Sequence, residues 1–121
     1  MEEKNFREKL EEKMNNYVHQ IYNVTKKFPK EEMFGSTSQL KRAALSVILN
    51  FIEGYARRTN NNKNVYRNFL NISYGSLKES KYLIKFSFDE NFLEENNYRE
   101  LSDLADEIGA MLYCTKGFIK E

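Results

Sequence analysis

Apolar residues in the first part of the chain fall at Phe6, Leu10, Met14, Tyr17, Ile21, Val24 and Phe28. The steps of 4, 4, 3, 4, 3 and 4 put them on one face of an α-helix, as a heptad-like seam. Pro29 lacks an N–H and disfavours the helical conformation at the residue before it, so the pattern predicts a helix over about 6–28. Gly35 then breaks the chain. Ser36-Thr37-Ser38-Gln39 has the S-x-x-Q form of a capping box, in which the Ser36 hydroxyl accepts the Gln39 N–H. The helix it opens runs over about 36–58 and stops at the turn-forming Thr59-Asn60-Asn61-Asn62. Gly54 near its end either weakens the last turn or marks a close backbone contact. A third helix over about 63–87 carries Tyr66, Phe69, Leu70, Leu77, Leu83, Ile84 and Phe86. Its small residues Ser73, Gly75, Ser76 and Ser80 would let a neighbouring helix come close. After Phe88–Phe92, a fourth helix over about 94–119 has a seam of Leu101, Leu104, Ile108, Met111, Thr115 and Phe118. Four amphipathic helices with short connections, forming one domain over residues 1–121, predict an all-α antiparallel up-down four-helix bundle.

The second helix is apolar around more of its circumference than a single bundle face requires. Leu40, Ala43, Ala44, Leu45, Val47, Ile48, Leu49, Phe51, Ile52 and Tyr55 leave only a narrow polar line of Gln39, Arg42, Ser46, Asn50, Glu53 and Arg57. One reading is that the bundle oligomerises into a barrel-like ring that covers the surplus; the other is that loops and the first helix cover it within a monomer. The polar line likewise reads either as a solvated face, with Glu53 and Arg57 as an ordinary i,i+4 pair, or as an oligomer feature. In the second case Asn50 and Glu53 lie at an oligomer interface or face a channel.

Charge refines this picture. Nineteen Lys and Arg against eighteen Asp and Glu give a net charge of +1, which removes the argument from a globally basic chain for nucleic-acid binding. The distribution is uneven, however. Residues 26–67 hold nine basic and three acidic side chains, whereas residues 68–121 hold six and ten. In an up-down bundle Lys26, Lys27, Lys30, Lys41 and Arg42 gather at one pole, and Arg57, Arg58, Lys63 and Arg67 at the other. An oligomer would multiply either cluster into a ring of positive charge for phosphates. Tyr22, Phe34, Tyr55 and Tyr66 are near enough to stack on bases, although aromatic residues at such positions are more often core. Each cluster alone also reads as a solvated face.

Candidate chemistry is sparse. His19 is the only histidine and reads as a surface residue, so histidine-based metal sites and triads have little to build on. No glycine-rich phosphate loop occurs. The sequence thus predicts no enzyme, no catalytic residue, no metal site and no cofactor. Cys114, the one cysteine, has no internal disulfide partner and reads as a packed small apolar residue. That cysteine count points to the reducing cytoplasm, and the charged first 20 residues predict no signal peptide. The apolar, uncharged stretch Ala43–Ile52 is too short to span a membrane.

One set of residues resembles a known family. It comprises the stretch from Phe28 to Ala44 (FPKEEMFGSTSQLKRAA), Ser46, Asn50, Glu53-Gly54, Phe69-Leu70-Asn71-Ile72, Gly75-Ser76-Leu77-Lys78-Glu79, Glu107-Ile108-Gly109 and Met111-Leu112. Together these are similar to the four helix bundle proteins encoded in intervening sequences of bacterial 23S ribosomal RNA genes, over about Tyr17–Ile119. Ile48 stands where members usually carry a proline. The resemblance implies a bacterial homopentamer with a central channel and no catalytic activity. The family is also similar in fold to the accessory variability proteins of diversity-generating retroelements, which are basic pentamers that bind a reverse transcriptase and nucleic acid. The expectation is therefore a non-enzymatic homo-oligomer associated with RNA or an RNA–protein complex, with Arg42, Arg57, Arg58, Lys63 and Arg67 contacting phosphate. The alternative is a protein-interaction scaffold with no nucleic-acid role.

Overall fold

A computed structural model describes residues 2–119, and the side chains from residue 5 onward. Four helices make up the fold: α1 (Glu2–Thr25), α2 (Ser36–Arg57), α3 (Lys63–Asp89) and α4 (Glu95–Gly117). A single 3-10 turn, Lys30–Glu32, lies between α1 and α2. Each helix packs on the next, α4 closes back on α1, and the α2/α3 seam is the most extensive. This is the expected up-down four-helix bundle, and no strand occurs among the described residues.

The ends differ from the sequence pattern for local reasons. Apolar periodicity does not mark the polar first turn of α1, which starts before Phe6. At its other end the α-helix stops at Thr25, and Lys26, Lys27 and Phe28 continue as tighter i→i−3 turns to Asn23, Val24 and Thr25. The capping box does not form. Gly35 is the N-cap, and Ser36 is captured from outside by Glu32, whose Oε1 accepts from the Ser36 hydroxyl at 2.6 Å and the Ser36 N–H at 3.2 Å. Those two bonds hold the Glu32 carboxyl below its ordinary pKa, the side-chain bond contributing most. α2 runs unbroken through Ile48. α3 extends two residues further than expected and ends in a Schellman motif. Phe92 N–H reaches Ser87 O at 2.8 Å, Asn91 N–H reaches Phe88 O at 3.0 Å, and Asn91 takes a φ of 65°.

The seams predicted for each helix supply the core. Leu10, Met14, Tyr17 and Ile21 of α1 meet Leu40, Val47 and Phe51 of α2, Leu70, Leu77 and Ile84 of α3, and Leu101, Ile108 and Leu112 of α4. Tyr17 is fully buried, and its hydroxyl bonds Ser80 Oγ at 2.7 Å. Ser80 itself donates to Leu77 O at 2.8 Å, so it accepts from Tyr17. Burial pushes the Tyr17 phenol well above its ordinary pKa of 10.0.

Small residues bring α2 and α3 together. A Cβ added at Gly54 would lie 2.5 Å from Phe69 Cβ, so the close backbone contact anticipated there is real. Ser73 donates to Val47 O at 2.6 Å, and Ser46 and Ser76 join their hydroxyls at 2.7 Å. Ser73, Ser76 and Ser80 thus face inward as expected. Gly75 does not, because it lies on the exposed side of α3 with nothing within 4 Å of an added Cβ.

Candidate nucleic-acid interface

The N-terminal part of α1, the end of α2, the start of α3 and the end of α4 share one pole of the bundle. Arg57, Arg58, Lys63 and Arg67 meet there. The Arg58 guanidinium lies over the Tyr55 ring, 3.5 Å from its centroid, and Nη1 donates to Tyr55 O at 2.7 Å. Arg7 lies over the same ring at 4.3 Å. One aromatic ring therefore holds two guanidinium groups, an attraction worth about 0.5–2 kcal/mol for each. Tyr55 in turn packs edge-on against Tyr66, with ring centroids 6.1 Å apart. Arg57 bonds Glu53 and lies 5.6 Å from the Phe69 centroid, while Arg67 donates to Asn64 at 3.1 Å.

Arg58 and Lys63 line a cleft of about 470 Å³ together with Thr59, Asn60, Tyr66 and Phe118. No carboxylate lines it among the described residues. The first turn of α3 opens beside the cleft and holds no acidic side chain, so the positive end of a long helix dipole adds to the two cations. Anions are thus favoured at this cleft by side-chain charge and backbone together, while Glu8, Glu11 and Glu12 line a separate recess with Arg7.

The opposite pole is different. Arg42 lies in the second turn of α2, about 22 Å from Arg57 at 1.5 Å per residue, and bonds Glu79 and Gln39. The structure therefore separates Arg42 from the other four candidate cations. Lys41 is seated over the Tyr22 ring at 4.7 Å, and Lys27 shares a cleft with Glu94 and Glu95. The acidic end of α3 and start of α4 return to this pole and offset its lysines. Counting charge by sequence block hid that pairing.

Arg7 escaped the sequence reading, although the up-down topology puts the first turns of α1 beside the last turn of α2. Among the aromatic candidates, Tyr66 is buried and Phe34 is 90% exposed at the α1–α2 connection, away from the cleft. Asn50 donates to Ser46 O and Oγ, both at 2.9 Å, and Glu53 is an exposed acceptor for Arg57. Both lie along the edge of α2 that faces α3. Cys114, expected to pack, is instead exposed, because the buried line of α4 runs through Leu101, Ala105, Ile108, Leu112 and Thr115. His19 is exposed on α1. Among the described residues no group of three or more His, Cys, Asp or Glu is placed to hold a metal ion, and no helix is long and apolar enough to cross a membrane.

Much of the apolar surplus on α2 remains uncovered. Leu45, Ile48 and Tyr55 pack partly against the core, but Leu49 is 57% and Ile52 43% exposed.

Fold and surface together define a four-helix bundle with one basic pole and an uncovered apolar stripe. Residues 8–114 match the 23S rRNA-intervening sequence protein family, and the chain belongs to that family. Its fold is shared by a crystal structure of a protein of unknown function from the S23 ribosomal protein family of Bacteroides thetaiotaomicron. That match has a TM-score of 0.78 and 19% identity, and covers 93% of this chain and 99% of the other. No curated protein matches the sequence.

Proposed function

We propose that this chain is a non-enzymatic, homo-oligomeric accessory factor that binds RNA through its basic pole. Arg58 and Lys63, in a cleft that no carboxylate lines among the described residues, carry this reading. Arg57 and Arg67 belong to the same pole, and the Tyr55 ring holds Arg58 and also Arg7, which is paired with Glu11. Arg42, paired with Glu79, plays a lesser part. Assembly repeats the pole on every protomer, which supplies the avidity that a nearly neutral chain lacks. By resemblance, the assembly is a pentamer and a reverse transcriptase is its protein partner; the single cysteine favours the cytoplasm.

Filter binding of the whole chain to structured RNA across a salt series tests the reading. Four phosphate contacts to single-stranded segments give a loss of roughly 50-fold between 50 and 200 mM salt. Arg58→Gln with Lys63→Gln should weaken binding and flatten that slope. Undetectable binding at 50 mM, or affinity indifferent to salt, would reject an RNA role and favour a purely protein-binding scaffold.

A further inference from the structure

We propose that copies of this chain join head to tail, with the α1/α2 face of one protomer seated in the α3/α4 groove of the next. This rests on the homo-oligomeric reading above and specifies which surfaces meet. The order of packing, α1 on α2, α2 on α3, α3 on α4 and α4 on α1, makes the two faces opposite sides of the bundle.

The first face carries an apolar strip along α2. Leu49 and Ile52 are exposed on α2, with exposed Ala56 one turn further along, while Leu45 one turn before them packs partly against the core. Beside it, Ile48 and Ile52 line a recess whose α1 wall carries Arg7, Glu8, Glu11 and Glu12. The second face carries a groove of its own. A groove of about 510 Å³ runs between α3 and α4, with Gly109 and Ala110 on its α4 side and exposed Tyr74 and Tyr113 among its lining. Lys78, Lys81 and Lys116 line it as well, with Asp106.

The charges are mirror images. On the first face Arg7 bonds Glu11 at 3.1 Å and approaches Glu8 only to 4.0 Å, while Glu12 has no partner among the described residues. On the second, Lys81 is bonded to Asp106, which leaves Lys78 and Lys116 without a carboxylate among the described residues. Each face thus keeps about two unmatched charges, negative on one and positive on the other. Like faces repel and unlike faces attract, so the contact is heterologous rather than two-fold. A head-to-tail contact leaves every copy one free face until a ring closes, which makes a closed ring the natural end state.

Two double variants test this pairing by native mass spectrometry and sedimentation. Leu49→Asp with Ile52→Asp blocks the α1/α2 face, and Lys78→Asp with Tyr113→Asp blocks the groove. All four positions are exposed, so each variant should keep its helical circular dichroism. Each alone should lose self-association, with a dissociation constant raised by ~100-fold or more. An equimolar mixture should form a 1:1 heterodimer, because one intact face of each kind remains. The charge exchanges Glu12→Lys and Lys78→Glu provide a second route, in which each weakens assembly alone and mixing the two restores contact. A wild-type chain that is monomeric overturns the oligomeric reading itself. A wild-type oligomer whose blocked variants still assemble, or fail to pair on mixing, overturns only the head-to-tail assignment.

Discussion

Replacing Gly54 by alanine would put a methyl carbon 2.5 Å from Phe69 Cβ and 3.3 Å from both Phe69 Cγ and Tyr66 Cδ1. Carbon atoms pack best at about 3.5–4.0 Å, so α2 and α3 would have to separate locally by about 1 Å. Phe69 Cβ is fixed to the α3 backbone and has no rotamer by which to retreat. In an open helix the same exchange stabilises by about 0.5–1 kcal/mol, through lower backbone entropy in the unfolded chain. Against that gain stand about 1–3 kcal/mol for overpacking and about 0.5–1.5 kcal/mol for each seam hydrogen bond that is stretched. The bonds at risk are Ser73 to Val47 O and Ser46 to Ser76. The net expectation is a loss of about 1–3 kcal/mol. Gly75→Ala is the control, because its added methyl meets nothing and should raise stability by about 0.5–1 kcal/mol. Urea unfolding at fixed protomer concentration reads both as shifts of midpoint in opposite directions at similar slope. A Gly54→Ala protein as stable as Gly75→Ala would refute the close approach of the two helices.

Ser80→Ala leaves the buried Tyr17 hydroxyl without its acceptor and should cost about 1–3 kcal/mol; the further change Tyr17→Phe in that background should cost less than it does alone, read by a double-mutant cycle in urea. The folded pKa of Tyr17 is raised, so the unfolded chain releases this proton first: the stability it contributes is intact below pH 10 and is lost as pH rises above it. Thermal melts should therefore show a steeper alkaline decline for wild type than for Tyr17→Phe, and parallel declines would contradict the burial. At Asn91, with its positive φ, glycine should be tolerated within about 0.5 kcal/mol, whereas valine should cost about 1–2 kcal/mol. Equal melting temperatures for the two would exclude the left-handed cap.

Most of the fold was legible because core formation depends on spacing, and spacing is written in the chain. Leu10, Met14, Tyr17 and Ile21 are buried as their heptad steps required. The errors arose where a residue's type was read without its angular position. Gly75 is small but faces away from α2, and Cys114 has apolar neighbours in sequence but lies off the buried line of α4. Ser36 matched a capping motif, yet Glu32 competed for its hydroxyl from the preceding turn, a contact outside the motif's window. The basic pole was visible in outline, since Arg57, Arg58, Lys63 and Arg67 are close in sequence. Arg7 joins it only through topology, about fifty residues from its neighbour Arg58. The acidic α1/α2 face draws its charges from residues 7–12 alone, whereas the basic α3/α4 groove joins Lys78 and Lys81 to Lys116 from a distant segment, which no count along the chain would reveal.

Native mass spectrometry of the whole chain at low micromolar concentration tests most directly the claim that another copy covers the outward stripe of α2. The expected result is a single assembly whose mass is a whole multiple of 14.4 kDa, reduced to the lone protomer by Leu49→Asp with Ile52→Asp. A wild-type chain found only at 14.4 kDa across all concentrations would contradict the account.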